Sequence, residues 1–222
     1  MSPRLRKAED ADVFAAMVRV MMRVGPADLT LSAIADEVGI TAGALVQRFG
    51  SKRELMLAHA RYAAATLDTG FGPPRKRTKS PLSAIYEGAE AYAKLAYSPR
   101  AALRNLAYLQ RDLADPALRR NLLRLHRAAR VYYEQLVADG IGAGELRAET
   151  DVRGLSRTIE VTLGGSFLAW TLYRQGPAFT WLSKDLKAVL RPHLTDDARE
   201  SHRGRGSSSV RGRVRIAGDW RE

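Results

Sequence analysis

The sequence predicts an all-α protein, on three observations. Apolar residues recur at helical spacing, as in Val13, Phe14, Met17, Val20, Met21 and Val24. Helix-start signals precede the periodic runs: Thr30, Thr41, Asp115-Pro116, Asp151, and a capping box in which Ser51 is followed three residues later by Glu54. Glycine and proline fall between the runs, at Gly25-Pro26, Gly39 and Gly176-Pro177.

Residues 1–9 are expected to be a loose basic arm. Asp10 is placed to cap a first helix, with Asp12 favourable in its first turn. Gly25-Pro26 ends that helix. Thr30 opens a second, whose apolar face is Ile34, Ala35 and Val38. Gly39 supplies the backbone freedom for a tight turn. Ile40 plugs the corner, and Thr41 caps a third helix with Leu45 and Phe49 at i, i+4 spacing. These are the requirements of a helix-turn-helix, which lays its second helix in a DNA major groove. A generic helical hairpin has similar glycine and leucine spacing and stays the alternative at this point.

Ser51 then caps a fourth helix running to about Leu67. Its free N-terminal amides, with Lys52, can hold a DNA phosphate. Residues 68–80 are rich in glycine, proline and cations and predict a basic linker. From Pro81 the chain is helical: 82–97, 99–113, a long helix after Asp115-Pro116, then 151–175 and 178–191. The long helix places Leu118, Leu122, Leu125, Ala129 and Leu136 inward and Arg119, Arg120, Arg127 and Arg130 outward. Residues 195–222 have no apolar period and predict a disordered basic tail. The expected organisation is therefore a DNA-binding domain over 1–67, the linker over 68–80, a helical regulatory domain over 81–194 and the tail.

The 222 residues carry a formal net charge of +12, which favours a polyanionic partner. There is no cysteine, so disulfides and thiolate metal sites are excluded. The N-terminus lacks a signal-peptide core, and the most apolar stretch, 161–173, is too short to span a membrane. A cytoplasmic location with no membrane partner is expected. The four histidines, His59, His126, His193 and His202, are scattered, and no phosphate loop or Gly-x-Ser-x-Gly is present. No enzyme, cofactor or metal is expected. The basic stretch Arg100, Arg104, Arg111, Arg119, Arg120, Arg124 supports a second reading, a sequence-neutral nucleic-acid binder.

The stretch Leu-Thr-Leu-Ser-Ala-Ile-Ala-Asp-Glu-Val-Gly-Ile-Thr-Ala-Gly-Ala-Leu-Val-Gln-Arg-Phe-Gly-Ser-Lys-Arg-Glu-Leu, residues 29–55, resembles the signature of the TetR family of bacterial transcriptional regulators. The resemblance is close over about the first quarter of the chain. It implies a three-helix DNA-binding domain followed by a helical bundle for ligand binding and dimerisation. Thr30, Leu31 and Ser32 then stand near phosphate. Thr41, Ala42, Gly43, Ala44, Gln47 and Arg48 are presented to DNA, and Lys52 meets the backbone. The family usually has an aromatic residue where this chain has Val46, and a hydroxyl residue where it has Ala44. More of the recognition falls on Gln47, which can pair with adenine, and Arg48, which can pair with guanine or hold a phosphate.

Gly164-Gly165 lies inside a helix, at a cost of about 1 kcal/mol per glycine relative to alanine. A second backbone coming close would explain the pair. By resemblance this helix belongs to a homodimer interface, with Leu155, Ile159 and Leu163 facing the partner or the core; a glycine-lined ligand pocket is the rival. A ligand cavity is likewise implied by resemblance, with Tyr86, Tyr92, Asn105, Tyr108, Gln110, His126, Tyr133, Phe167 and Trp170 as candidate lining and an apolar or aromatic effector preferred. The function so implied is a ligand-responsive regulator, a repressor. It would bind a palindromic double-stranded DNA operator as a homodimer and be released by a small-molecule effector.

Overall fold

The computed structural model describes residues 9–70 and 80–205. The chain order is α1 (Asp10–Arg23), α2 (Leu31–Val38), α3 (Ala42–Phe49), α4 (Lys52–Gly70), α5 (Pro81–Leu95), α6 (Pro99–Ala114), α7 (Pro116–Gly142), α8 (Val152–Tyr173), α9 (Ala178–Leu190), a 3₁₀ turn (Arg191–His193) and α10 (Asp196–Arg205). Among the described residues β-structure is limited to one isolated bridge, Leu146 with Leu194. No described helix is long and apolar enough to cross a membrane.

Side-chain caps start most of these helices. Thr30 accepts from the Ala33 amide and Thr41 from the Ala44 amide, both at 3.1 Å. Ser51, Ser80 and Ser98 do the same for α4, α5 and α6. Asp115 accepts from the Ala117 and Leu118 amides at 2.8 and 3.2 Å. Each such cap contributes about 1 kcal/mol. Gly39 ends α2 at φ 81°, a left-handed conformation that a side chain would strain.

The first helix is capped one residue earlier than expected. Glu9 is the N-cap, and its amide donates to Asp12 at 3.3 Å. Asp10 is the first helical residue, and its carboxylate goes elsewhere. The expected tail is also corrected: residues 196–205 are α10, so the folded chain extends beyond 194. Of its residues 196–200 only Ala198 is buried, and the helix carries no apolar period. It is held by Thr195, which accepts from the Ala198 amide and donates to Gly144, and by the Arg147 amide donating to His193 at 2.8 Å. Of the expected arm (1–9), linker (68–80) and tail (195–222), residues 1–8, 71–79 and 206–222 lie outside the described residues, while 68–70 belong to the end of α4 and not to a linker.

The helices close two apolar cores. The first packs Val13, Phe14, Met17 and Val20 of α1 against Leu29, Ile34, Leu45 and Leu55. Tyr108 and Leu118, from α6 and α7, complete it. The second is built from α5, α7, α8 and α9, around Ile85, Val137, Ile159, Leu163, Leu182 and Leu186, all fully buried. The N-terminal unit thus has its own core, yet two residues of that core come from the C-terminal helices.

Candidate nucleic-acid interface

Of the short helix α3, only Leu45 is fully buried. At about 100° per residue, Gly43 and Gln47 lie opposite Leu45, and Ala44 and Val46 lie on the two flanks. Thr41, Gly43, Ala44, Val46, Gln47 and Arg48 are exposed. The outward face therefore offers two small residues and one amide side chain able both to donate and to accept. Thr30 and Ser32 are exposed at the start of α2, while Leu31 and Ala42 are half-buried against the core. Glu37 clamps α2 to α1 through Arg19 at 2.7 Å and Arg23 at 2.5 Å. The hydrogen bonds from Arg19 and then Arg23 hold its carboxyl below the usual range.

Two of the expected DNA cations are already engaged. Lys52 donates to the Leu29 carbonyl at 2.8 Å, stapling the start of α4 to the loop before α2. Two further N–H groups of its ammonium remain for a phosphate. Arg48 pairs with Asp10 at 2.5 Å, and its guanidinium stands 5.5 Å from the centre of the Phe49 ring. Asp10 was legible only as a capping residue, because its partner lies 38 positions on in the sequence.

The N-terminal helical unit is joined to the C-terminal helices by polar contacts at the C-terminal end of α1. The Tyr97 hydroxyl and the Arg104 guanidinium donate to the Met22 carbonyl at 3.0 and 2.7 Å. The Tyr108 hydroxyl donates to the Val24 carbonyl at 3.1 Å. Burial pushes the Tyr108 phenol up to about 12. A further link runs from Arg53 to Asp115, at 2.7 and 3.1 Å. With the two backbone amides of its cap, this bond takes the Asp115 carboxyl down to about 2.

The candidate pocket residues divide. Tyr133, Phe167 and Trp170 are buried in the second core, and Tyr86 and Tyr92 pack against it. The Tyr133 hydroxyl lies over Gly88, where a Cβ would collide with it. Burial raises the phenols of Tyr86, Tyr92 and Tyr133. His126 sits beside them through Glu160, at 2.9 Å, and Arg130 holds the same carboxylate. Burial disfavours that carboxylate, but the hydrogen bonds from His126 and Arg130 outweigh it and lower its pKa. Glu160 was missed in the sequence, although it is the one acidic residue of α8.

Three candidates are not part of this cluster. Tyr108 belongs to the first core, Asn105 donates to the carbonyls of Leu95 and Ala101 at 2.7 and 3.0 Å, and Gln110 is exposed. The amide of Asn105 serves the α5–α6 corner, that of Gln110 the surface, and the hydroxyl of Tyr108 the end of α1. Trp170 also has a structural partner, donating to the Gly176 carbonyl at 2.9 Å.

The expected interface on α8 is corrected as well. Leu155, Ile159 and Leu163 are 3%, 0% and 0% exposed, because they face α5, α7 and α9 within the same chain. The opposite face carries Val161, Gly165, Leu168 and Leu172, spaced four, three and four residues apart. Its apolar side chains are 62%, 48% and 73% exposed. A Cβ built on Gly164 or Gly165 meets no atom within 4 Å. The glycine pair is therefore not required by packing within this chain.

Residues 13–59 match the family of bacterial regulatory proteins described as tetR. The HTH-type transcriptional regulatory protein RaaS of Mycobacterium tuberculosis is 26% identical over 166 residues, 75% of this chain and 70% of its own. Two solved structures share the fold. A TetR transcription regulator from Haloarcula marismortui has a TM-score of 0.68 at 16% identity, covering 84% of this chain and 98% of its own. FadR from Bacillus subtilis, in complex with stearoyl-CoA, has a TM-score of 0.63 at 16% identity, covering 82% and 97%.

Proposed function

We propose that this chain, which belongs to the tetR family of bacterial regulatory proteins, is a ligand-responsive repressor that binds a palindromic operator as a homodimer in the cytoplasm. The observation that carries the reading is the outward face of α3. A helix anchored by one buried leucine presents small residues and Gln47 to the surface, which lets a helix sit deep in a major groove. Thr30, Ser32, Thr41 and Lys52 are assigned to the flanking phosphates, and Gln47 to a base edge.

A lone recognition helix contacts few bases, and two of them about one DNA turn apart, roughly 34 Å, would read an inverted repeat. The exposed apolar stripe on α8 supports the homodimer: its four-three-four spacing matches a helix-packing seam, and Gly164-Gly165 admits a partner backbone. The effector site is placed among Tyr86, Tyr92, Tyr133 and Phe167, beside Glu160. The fatty acyl-CoA held by the Bacillus subtilis relative supports a small-molecule effector in this bundle. The contacts of Tyr97, Arg104 and Tyr108 with the end of α1 supply the mechanical link, because a shift of α6 and the turn before it must either move α1 or break them. An effector that favours the shifted state lowers operator affinity by its differential affinity for the two states.

Selection of bound fragments from random duplex DNA tests this reading. An inverted repeat should be enriched, and the enrichment should fall when the right metabolite is present. Equal recovery of unrelated duplexes would favour the sequence-neutral reading instead.

A further inference from the structure

We infer that Asp10 is an electrostatic brake on DNA binding: its carboxylate holds the Arg48 guanidinium at the flank of α3, in competition with DNA phosphate. The inference rests on the reading of α3 as the DNA-facing helix.

Arg48 lies about 60° round from the buried Leu45, whereas Gln47 and Gly43 lie opposite it. Its guanidinium is drawn to the first turn of α1, 2.5 Å from Asp10, and lies against the Phe49 ring. For a helix seated in the major groove, base edges lie beyond the outward face and the phosphate strands run past the flanks. Arg48 is thus directed toward phosphate and away from base edges. Asp10 is held in place because it is the first helical residue of α1, where free amides favour a negative charge. The paired guanidinium attracts the duplex less strongly than it would without the carboxylate beside it. To hold a phosphate, Arg48 must exchange one anion for another. The pair therefore reduces affinity for every duplex alike and leaves base discrimination to Gln47.

The experiment measures binding of the full chain to its selected operator and to an unrelated duplex, across a salt series. Asp10→Asn keeps the side-chain shape and removes the charge. It should tighten binding to both duplexes by a similar factor, about two- to fivefold, the scale of one exposed ion pair. It should also steepen the salt dependence by about one phosphate, a slope change of roughly 0.9. In an Arg48→Ala background the same substitution should have no effect on either quantity. Unchanged affinity in Asp10→Asn, with operator preference retained, overturns the brake. So does an effect that survives in the Arg48→Ala background, since Asp10 would then act by general repulsion. A gain confined to the operator makes Arg48 a base reader and also overturns it. If the unmodified protein does not bind duplex DNA, both the brake and the reading beneath it fail.

Discussion

Placing an aspartate at both Leu168 and Leu172 should separate the protein into monomers without unfolding it. The two side chains leave 48% and 73% of their surface exposed on the outer face of α8. Full burial of a leucine is worth about 1.5–3 kcal/mol, so each contributes about 1–2 kcal/mol when a partner covers it. A two-fold axis uses each residue twice. The pair therefore accounts for about 5 kcal/mol, or between three and four powers of ten in the dimer dissociation constant. Burying four carboxylates at the seam adds to the loss. Sedimentation velocity at micromolar concentration reads the change in mass, and far-ultraviolet circular dichroism checks that the helices persist. Operator affinity should fall with the dimer. Leu163→Ala, one residue before the glycine pair, should do the reverse: it costs about 2–5 kcal/mol of stability and leaves the dimer intact, because Leu163 is fully enclosed by its own chain. A double aspartate variant that still sediments as a dimer would refute the assignment of this face.

Three further outcomes follow from the same contacts. Gly88→Ala should destabilise the bundle by about 1–3 kcal/mol in urea titrations, because the new methyl meets the Tyr133 hydroxyl; a combined Gly88→Ala and Tyr133→Phe variant should recover part of the loss. Tyr108→Phe should cost about 1 kcal/mol by thermal unfolding and weaken the effector's control of operator binding, since it removes one donor to the end of α1; a variant with full control would detach this contact from the coupling. The Asp115 carboxyl titrates near 2 in the folded chain against 3.8 for an unconstrained aspartate, so its stabilisation is present above about pH 4 and is lost as pH falls toward 2. Asp115→Asn should flatten that part of the acid unfolding profile; an unchanged profile would mean that the Arg53–Asp115 contact is not kept in solution.

Local signals made most of the fold legible. Thr30, Thr41, Ser51 and Asp115 all cap where their types and positions indicate, because a cap needs only a hydroxyl or carboxylate within three residues of a free amide. Leu45 and Gly39 likewise carry their roles in their immediate neighbourhood. What was not legible depends on residues far apart in the chain. Asp10 looked like a cap because nothing local points to Arg48. Tyr108 and Asn105 looked like pocket lining because an aromatic or amide on an apolar helix does not declare which core it joins. On α8 both faces are apolar, so periodicity could not say that Leu155, Ile159 and Leu163 face α5, α7 and α9 while Val161, Leu168 and Leu172 face outward. The helix over 196–205 escaped for the opposite reason: its sequence has no apolar period, and its start is held by Thr195 and the 144–147 loop.

The central claim is that the outward face of α3 reads DNA sequence through Gln47. The most direct measurement is the ratio of affinities for the selected operator and an unrelated duplex, in the unmodified protein and in Gln47→Ala, at matched salt. The unmodified protein should prefer its operator by about a thousandfold or more. Gln47→Ala should lose about ten- to a hundredfold of that preference, the value of about 1–3 kcal/mol for a bidentate base contact, while its salt slope stays the same. A Gln47→Ala variant that binds both duplexes more weakly by the same factor would contradict the claim.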